Sequence, residues 1–240
     1  GRQAVEEMSF DPGTLEWGRT YYWRVDEVNE AESESPWPGM VWGFTTADFL
    51  IVDDFESYTD EVGGEVFHSW LDGLGYDEPE VVAGNGTGSL VGNFEAPFAE
   101  RITVHSGWQS MPMAYDNTID PYYSEAERTW DTPQDWTTNG LDTLVLFVRG
   151  ESANAEAPLY VTIADNASRE ATAVHPNPSV LTSTTWNRWE VPLSEFAGVD
   201  ATGITEIRIG VGTPEMPEPG DAGTLYVDDI RVVRSTAAGG

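Results

Sequence analysis

The feature that most constrains this chain is a recurring pattern of short, strand-length runs separated by Gly, Pro, Asn and Asp through most of its 240 residues. In TYYWRVDEVN from Thr20 or EIRIGV from Glu206, alternate residues differ in polarity. A period of two puts alternate side chains on opposite faces of a pleated strand. No segment sustains the i, i+3, i+4, i+7 apolar spacing of a long amphipathic helix. The pattern predicts strands over Thr20–Val28, Val41–Thr46, Phe49–Glu56, Glu65–Leu71, Met111–Tyr115 and Glu125–Trp130. It predicts more over Leu141–Arg149, Leu159–Ala164, Trp186–Val191, Glu206–Val211 and Thr224–Val233. That number suits an all-β protein with two packed sheets.

Trp, Tyr and Phe supply 10, 9 and 9 residues, and their broad side chains cover apolar area well on a pleated surface. The 42 acidic residues face 11 basic ones, so a formal charge of −31 repels polyanions and makes nucleic acid a poor partner. With no cysteine, neither disulfides nor thiolate metal sites hold the fold. His68, His105 and His175 lie far apart in sequence, which argues against a zinc or copper catalytic centre. No serine-nucleophile motif or phosphate-cradling glycine loop occurs. There is no apolar run long enough to span a membrane, and Gly1 opens no signal peptide, so a mature or excised fragment is expected.

Residues 1–47 read as a separate β-hairpin, with Tyr21, Trp23 and Val25 on one strand face and Trp42 and Phe44 on the partner. The Tyr-x-Trp-Arg-Val run ending in Asn, followed by a strand ending in Phe-Thr-Thr, resembles the last two strands of a fibronectin type III domain. An isolated hairpin is marginal in water, so its apolar face is expected to dock on the following domain or on another chain.

Residues 48–240 carry a second resemblance, to the calcium-containing jelly-roll carbohydrate-binding modules of polysaccharide-degrading enzymes. It rests on the order of FLIVDDFESY, HSGWQSMPMAYDN, DWTTNGLDTLVLFVRG, APLYVTIAD, WNRWEVPLSEF and GTLYVDDIRVV. The resemblance implies a two-sheet jelly-roll β-sandwich of the galactose-binding-like kind, and a structural calcium ion carried to Asp54, Glu56 and Asp228. Alternation sends Asp54 and Glu56 to one side of the opening strand, and the closing Asp228-Asp229 pair adds repulsion that a cation would relieve. The alternative is that these are solvated strand-end charges.

A sugar site needs flat aromatic faces and fixed polar groups. Alternation places His68 and Trp70 outward if Phe67 and Leu71 are buried, and sends Arg149 and Arg208 outward from cores of Leu144, Leu146, Val148 and of Ile207, Ile209, Val211. Tyr115 lies beside an aromatic loop ending in Tyr122 and Tyr123 that either grips a glycan or caps the core. Trp70, His68, Tyr115, Arg149 and Arg208 are thus the expected ligand residues, although the arginines could instead pair with acids such as Glu190 and Glu206. The expected function is non-catalytic binding of a neutral, hexose-based polysaccharide by a secreted or cell-surface multidomain protein. The alternative is a structural subunit of a filament, surface layer or stalk, assembled from copies of the parent protein by strand complementation through the hairpin.

Overall fold

Alternating runs pair into antiparallel sheets in the computed structural model, which describes residues 9–235. The chain divides into two units, Gly1–Phe49 and Leu50–Gly240. In the first, β1 (Thr20–Trp23) pairs with β2 (Trp42–Thr45) in a two-stranded sheet. The register sets Tyr21 opposite Phe44 and Trp23 opposite Trp42. Trp23 and Trp42 meet edge to face at 4.6 Å between ring centroids, a favoured aromatic geometry. Both rings, with Phe44, remain exposed.

The second unit begins with β3 (Leu50–Asp53), the short helix α1 (Val66–Ser69), β4 (Gly75–Tyr76), β5 (Val82–Ala83) and β6 (Ser89–Val91). There follow β7 (Met111–Asp116), β8 (Ser124–Gln134), β9 (Thr143–Arg149), β10 (Leu159–Asp165) and β11 (Glu170–Val174). The last strands are β12 (Asn187–Pro192), β13 (Ile204–Val211) and β14 (Ala222–Val233). Four strands form one sheet in the order β11-β10-β13-β8, and six form another in the order β12-β9-β14-β7-β6, with β3 also paired to β14. This is an all-β sandwich of the expected class, and its first and last long strands lie side by side, Asp53 opposite Ile230.

The inner faces carry the residues that the alternation marked. Leu144, Leu146, Val148, Leu225 and Val227 line the six-stranded sheet, and Val161, Ile163, Ile207, Ile209 and Val211 line the four-stranded one, all essentially inaccessible. Each such burial contributes about 1.5–3 kcal/mol.

The segment Glu65–Leu71 is not the expected strand. His68 N–H donates to the Glu65 carbonyl and Trp70 N–H to the Val66 carbonyl, so the chain turns helically over Val66–Ser69. That turn removes the two-residue alternation, and Trp70, expected outside, is fully buried.

Trp70 is held there by a carboxylate. Asp53, itself only 5% exposed, accepts from Trp70 Nε1 at 2.8 Å, the Tyr58 hydroxyl at 2.6 Å and the Phe55 N–H at 2.8 Å. It also pairs with Arg128 of β8, across the sandwich. Phe55 adopts a left-handed backbone (φ 60°), and the Asp53 to Phe55 bond closes that turn while the ring goes into the core. Burial pulls the Arg128 pKa down, so the pair survives only because the opposing charge is in place. Arg128→Met should lower the free energy of urea unfolding by about 3–5 kcal/mol by leaving Asp53 uncompensated. Adding Asp53→Asn should recover part of that loss, whereas equal unfolding energies for the single and double variants would show that packing, not charge, sets the cost.

Candidate functional site

On β13 the core residues Ile207, Ile209 and Val211 alternate with Glu206, Arg208 and Gly210, which therefore occupy the outer face of the four-stranded sheet. Strand register extends each of these into a row. Glu127, Arg208, Thr162 and Thr172 lie side by side from β8 to β11. On one side runs Glu125, Gly210, Tyr160 and Val174, and on the other Thr129, Glu206, Ala164 and Glu170. Neighbouring rungs stand about 4.8 Å apart across the strands.

Arg208 is the centre of this grid. Its guanidinium pairs with Glu170, lies 2.7 Å from Glu206 through Nε, and stands 3.8 Å from Glu125. Glu125 in turn accepts from the Tyr160 hydroxyl at 2.9 Å. Tyr160 lies flat across Gly210, where an added Cβ would come within 2.3 Å of the phenol ring. Glycine at 210 is thus required by close approach, and the tyrosine forms part of the floor rather than a free stacking surface, being only 1% exposed.

The electrostatics follow from burial and from crowding of like charge. Desolvation raises the Glu125 pKa, with its neighbours Glu206 and Glu170 adding to the rise against the pull of Tyr160 and Arg208. Desolvation also raises Glu127, reinforced by Glu206. Burial works to lower the Arg208 pKa, but the carboxylates of Glu125, Glu206 and Glu170 outweigh it and hold the cation more firmly. Tyr160 and Tyr123 are raised first by burial and then by the Glu125 charge. Four carboxylates around one guanidinium leave the face rich in fixed acceptors, with a single strong cationic donor.

The five side chains expected to bind ligand do not meet. Arg208 is on this face. Arg149 lies on the outer face of the other sheet, opposite Tyr226, where its Nε donates to the Thr184 carbonyl at 2.8 Å and its guanidinium stands 5.5 Å over the Tyr226 ring. Trp70 is in the core. Tyr115 is 3% exposed, and burial pushes its pKa up to about 12. It packs inward beside Gly223, where an added Cβ would lie 2.6 Å from its hydroxyl, so it caps the core rather than reaching solvent. His68 sits in a cleft beside α1. Arg208 pairs with Glu206, as the ion-pair alternative has it, whereas Arg149 stands 3.6 Å from Glu151 and it is Arg188 that pairs with Glu190. The missed members, Glu125 and Glu127, were readable as residues alternating with the buried Ala126; Tyr160 joins them only through the β10–β13 pairing and Glu170 only through the β10–β11 pairing.

The calcium set does not assemble from the side chains expected to form it. Asp54 accepts from the Glu56 N–H, and Glu56 accepts from the N–H groups of Trp108 at 2.9 Å and Gln109 at 3.1 Å. Asp228 accepts from the N–H groups of His105 at 2.8 Å and Ser106 at 3.3 Å, while burial pushes its pKa up to about 6. Asp229, at φ 49° in a β-bulge, takes His105 Nδ1 at 2.6 Å and the Ser106 hydroxyl at 2.8 Å. Donors from the His105–Gln109 loop thus surround Glu56, Asp228 and Asp229. Among the described residues no three His, Asp or Glu side chains gather closely enough to share a metal ion.

No protein-family model matches the chain, and no curated protein does. Among solved structures it is similar to a chain described as an exo-β-agarase, with TM-score 0.55 and 13% identity over 78% of this chain and 25% of that one. The chain therefore spans a quarter of that protein, and the likeness shows the fold alone. Others are the family 11 carbohydrate-binding module from Clostridium thermocellum in complex with a β-1,3-1,4-mixed-linked tetrasaccharide (TM-score 0.47, 14% identity, 78% of this chain and 96% of that one) and a family 30 carbohydrate-binding module (0.45, 14%, 72% and 87%).

Because Asp54, Glu56 and Asp228 each accept from backbone N–H groups, a chelator should leave the thermal unfolding midpoint within about 1 °C of its value in millimolar calcium. A fall of several degrees on chelation would show that this corner takes an ion after all.

Proposed function

We propose that this chain binds a neutral, hexose-based polysaccharide without reacting with it, along the outer face of the four-stranded sheet around Arg208, as part of a larger secreted or cell-surface protein. The observation that carries this reading is the grid itself. Arg208 and its carboxylates are locked to one another in register, so hydroxyl partners are positioned before a ligand arrives, which lowers the ordering cost of binding. Sugar hydroxyls both donate and accept, and the grid supplies carboxylate acceptors together with the planar fork of Arg208. Val174, 59% exposed at the end of one row, adds an apolar patch for a ring face.

The same charges argue for a neutral ligand, since four acids against one base repel a uronic or sulfated polymer. Binding rather than hydrolysis is favoured because Glu125, Glu170 and Glu206 share one guanidinium. A glycosidase instead needs an acid and a nucleophile or base set apart across the scissile bond.

Affinity electrophoresis and calorimetry over a panel of neutral polysaccharides test the reading, and failure to bind any of them would sink it. Arg208→Lys keeps the charge but loses the fork. It should weaken binding by about ten-fold or more, the cost of losing one or two hydrogen bonds to a charged group, with the unfolding midpoint little changed. Affinity should vary little with salt. Acid should weaken it, because Glu125 and Glu127 are held above the usual carboxylate range and take up protons before other surface acids, losing acceptor capacity and their hold on Arg208. These two protons bind more tightly to the folded chain than to the unfolded one, so their uptake stabilises the fold as pH falls. Loss of binding as pH falls toward the carboxylate range, without loss of folded protein, is therefore expected, and binding that holds until the chain itself unfolds in acid would remove the two glutamates from the site.

A further inference from the structure

Between α1 and the β4–β5 hairpin the chain encloses an open cleft of about 320 Å³, separate from the sheet face. One side of it is an aromatic cluster. His68 and Tyr76 lie 4.1 Å apart between ring centroids, Phe67 and His68 5.0 Å, and Phe67 and Tyr76 6.4 Å. The remaining charged lining is wholly acidic, from Glu65, Asp77 and Glu78.

Hydrogen bonding at His68 shows what the cleft lacks. His68 Nε2 is 2.6 Å from the Glu78 carbonyl, which can only accept, so this nitrogen carries a hydrogen. Nδ1 stands 2.9 Å from Glu65 Oε2, yet neither atom takes part in a directed hydrogen bond. Glu65 is 6% exposed. A carboxylate that is more than nine-tenths buried thus lines the cleft short of a donor, beside a ring nitrogen that is itself an acceptor when the imidazole is neutral. Such a wall calls for positive charge and N–H donors.

Two further observations define the cation. No three acidic or histidine side chains among the described residues gather tightly enough to hold a metal ion, so the carboxylates flank the cleft instead of converging on a point. A small metal ion would also gain nothing from aromatic walls, whereas an organic ammonium is attracted to their faces. The volume lies at the lower end of small-ligand pockets, roughly 300–1,000 Å³, and has room for a ring as well as an ammonium. The chain contains no lysine and carries −31 formal charge, so its field favours the approach of cations.

We propose that this cleft binds an amino-sugar unit, its ring against Tyr76 and Phe67 and its ammonium group on the acidic side of the cleft, at whose mouth Glu78 stands. The inference rests on the polysaccharide reading above, which it leaves unchanged for the sheet face, and adds a separate subsite for a single sugar unit that carries a free amine.

Calorimetric titration of the full chain at low salt with glucosamine, N-acetylglucosamine and glucose isolates the ammonium group on one ring. Glucosamine should bind saturably, at least about tenfold tighter than the other two, a difference of about 1.4 kcal/mol, and should weaken as salt rises. Tyr76→Leu and Glu78→Gln, two changes at the cleft mouth, should each weaken glucosamine by about five-fold or more while the unfolding midpoint is retained. Equal affinity for the three sugars would overturn the proposal, as would glucosamine binding that neither substitution alters. Butylammonium binding as tightly as glucosamine would remove the sugar ring from the assignment, and displacement of glucosamine by millimolar calcium would replace it with a metal site. Neutral-polysaccharide binding measured on the same protein separates the two readings. If the polymer binds and glucosamine does not, the cleft inference alone fails; if neither binds, both fail.

Discussion

The buried charge pair between Asp53 and Arg128 is the contact on which the rest of the second unit depends. Asp53 belongs to the six-stranded sheet through β3, and Arg128 to the four-stranded sheet through β8, so the pair ties the two layers together. The same carboxylate collects Tyr58 and Trp70, and thereby fixes the segment that leads into α1. A buried ion pair gives weak net stabilisation but is very costly to break, so its effect is to exclude alternatives rather than to deepen the native well. Trp70 in the core and His68 in a surface cleft, two residues apart, are a consequence of that anchoring.

Arginine is scarce, and its placement organises the surface. Arg101 pairs with Asp60, Arg169 with Asp165 and Asp200, Arg188 with Glu190, and Arg208 with three glutamates. Isolated exposed pairs of this kind contribute little to stability, about 0–1 kcal/mol each. Their larger effect is on what remains: carboxylates outnumber their partners, so both the sheet face and the cleft beside α1 carry acceptors without a matching cation. Asp165 shows how far backbone donors substitute for cations. Burial works to raise its pKa, but the N–H groups of Asp200, Arg169 and Ala167, with the Arg169 side chain, outweigh it and hold the carboxyl below the usual range. That turn sets the register of β11 and hence the position of Glu170 beside Arg208.

Legibility in the sequence followed the range of the interaction. The alternation in EIRIGV put Ile207, Ile209 and Val211 inside and Glu206 and Arg208 outside, and the structure places them so. Phe55 was readable as core for the same reason, even though the strand ends at Asp53 and Phe55 sits in a left-handed turn. Reading failed where a local hydrogen bond broke the period. One turn of helix at Val66–Ser69 sent Trp70 inward, and a bulge at Asp229 turned the paired aspartates toward donors of the His105–Ser106 loop.

By itself the sequence determined the all-β class, the two apolar faces, the aromatic hairpin ahead of the sandwich and the strong acidity, because periodicity and charge are properties of neighbouring residues. Only the tertiary structure decided which outward residues share a surface. Arg149 and Arg208 look alike in sequence, each outward on a strand of apolar alternation, yet they stand on different sheets facing opposite ways. Glu125, Tyr160, Glu170 and Arg208 are separated in the chain and form one cluster only because β8, β13, β10 and β11 are hydrogen-bonded in that order. Strand order is set by the packing of the whole sandwich, where each pairing is worth little unless the others form, and no local pattern in the chain encodes it.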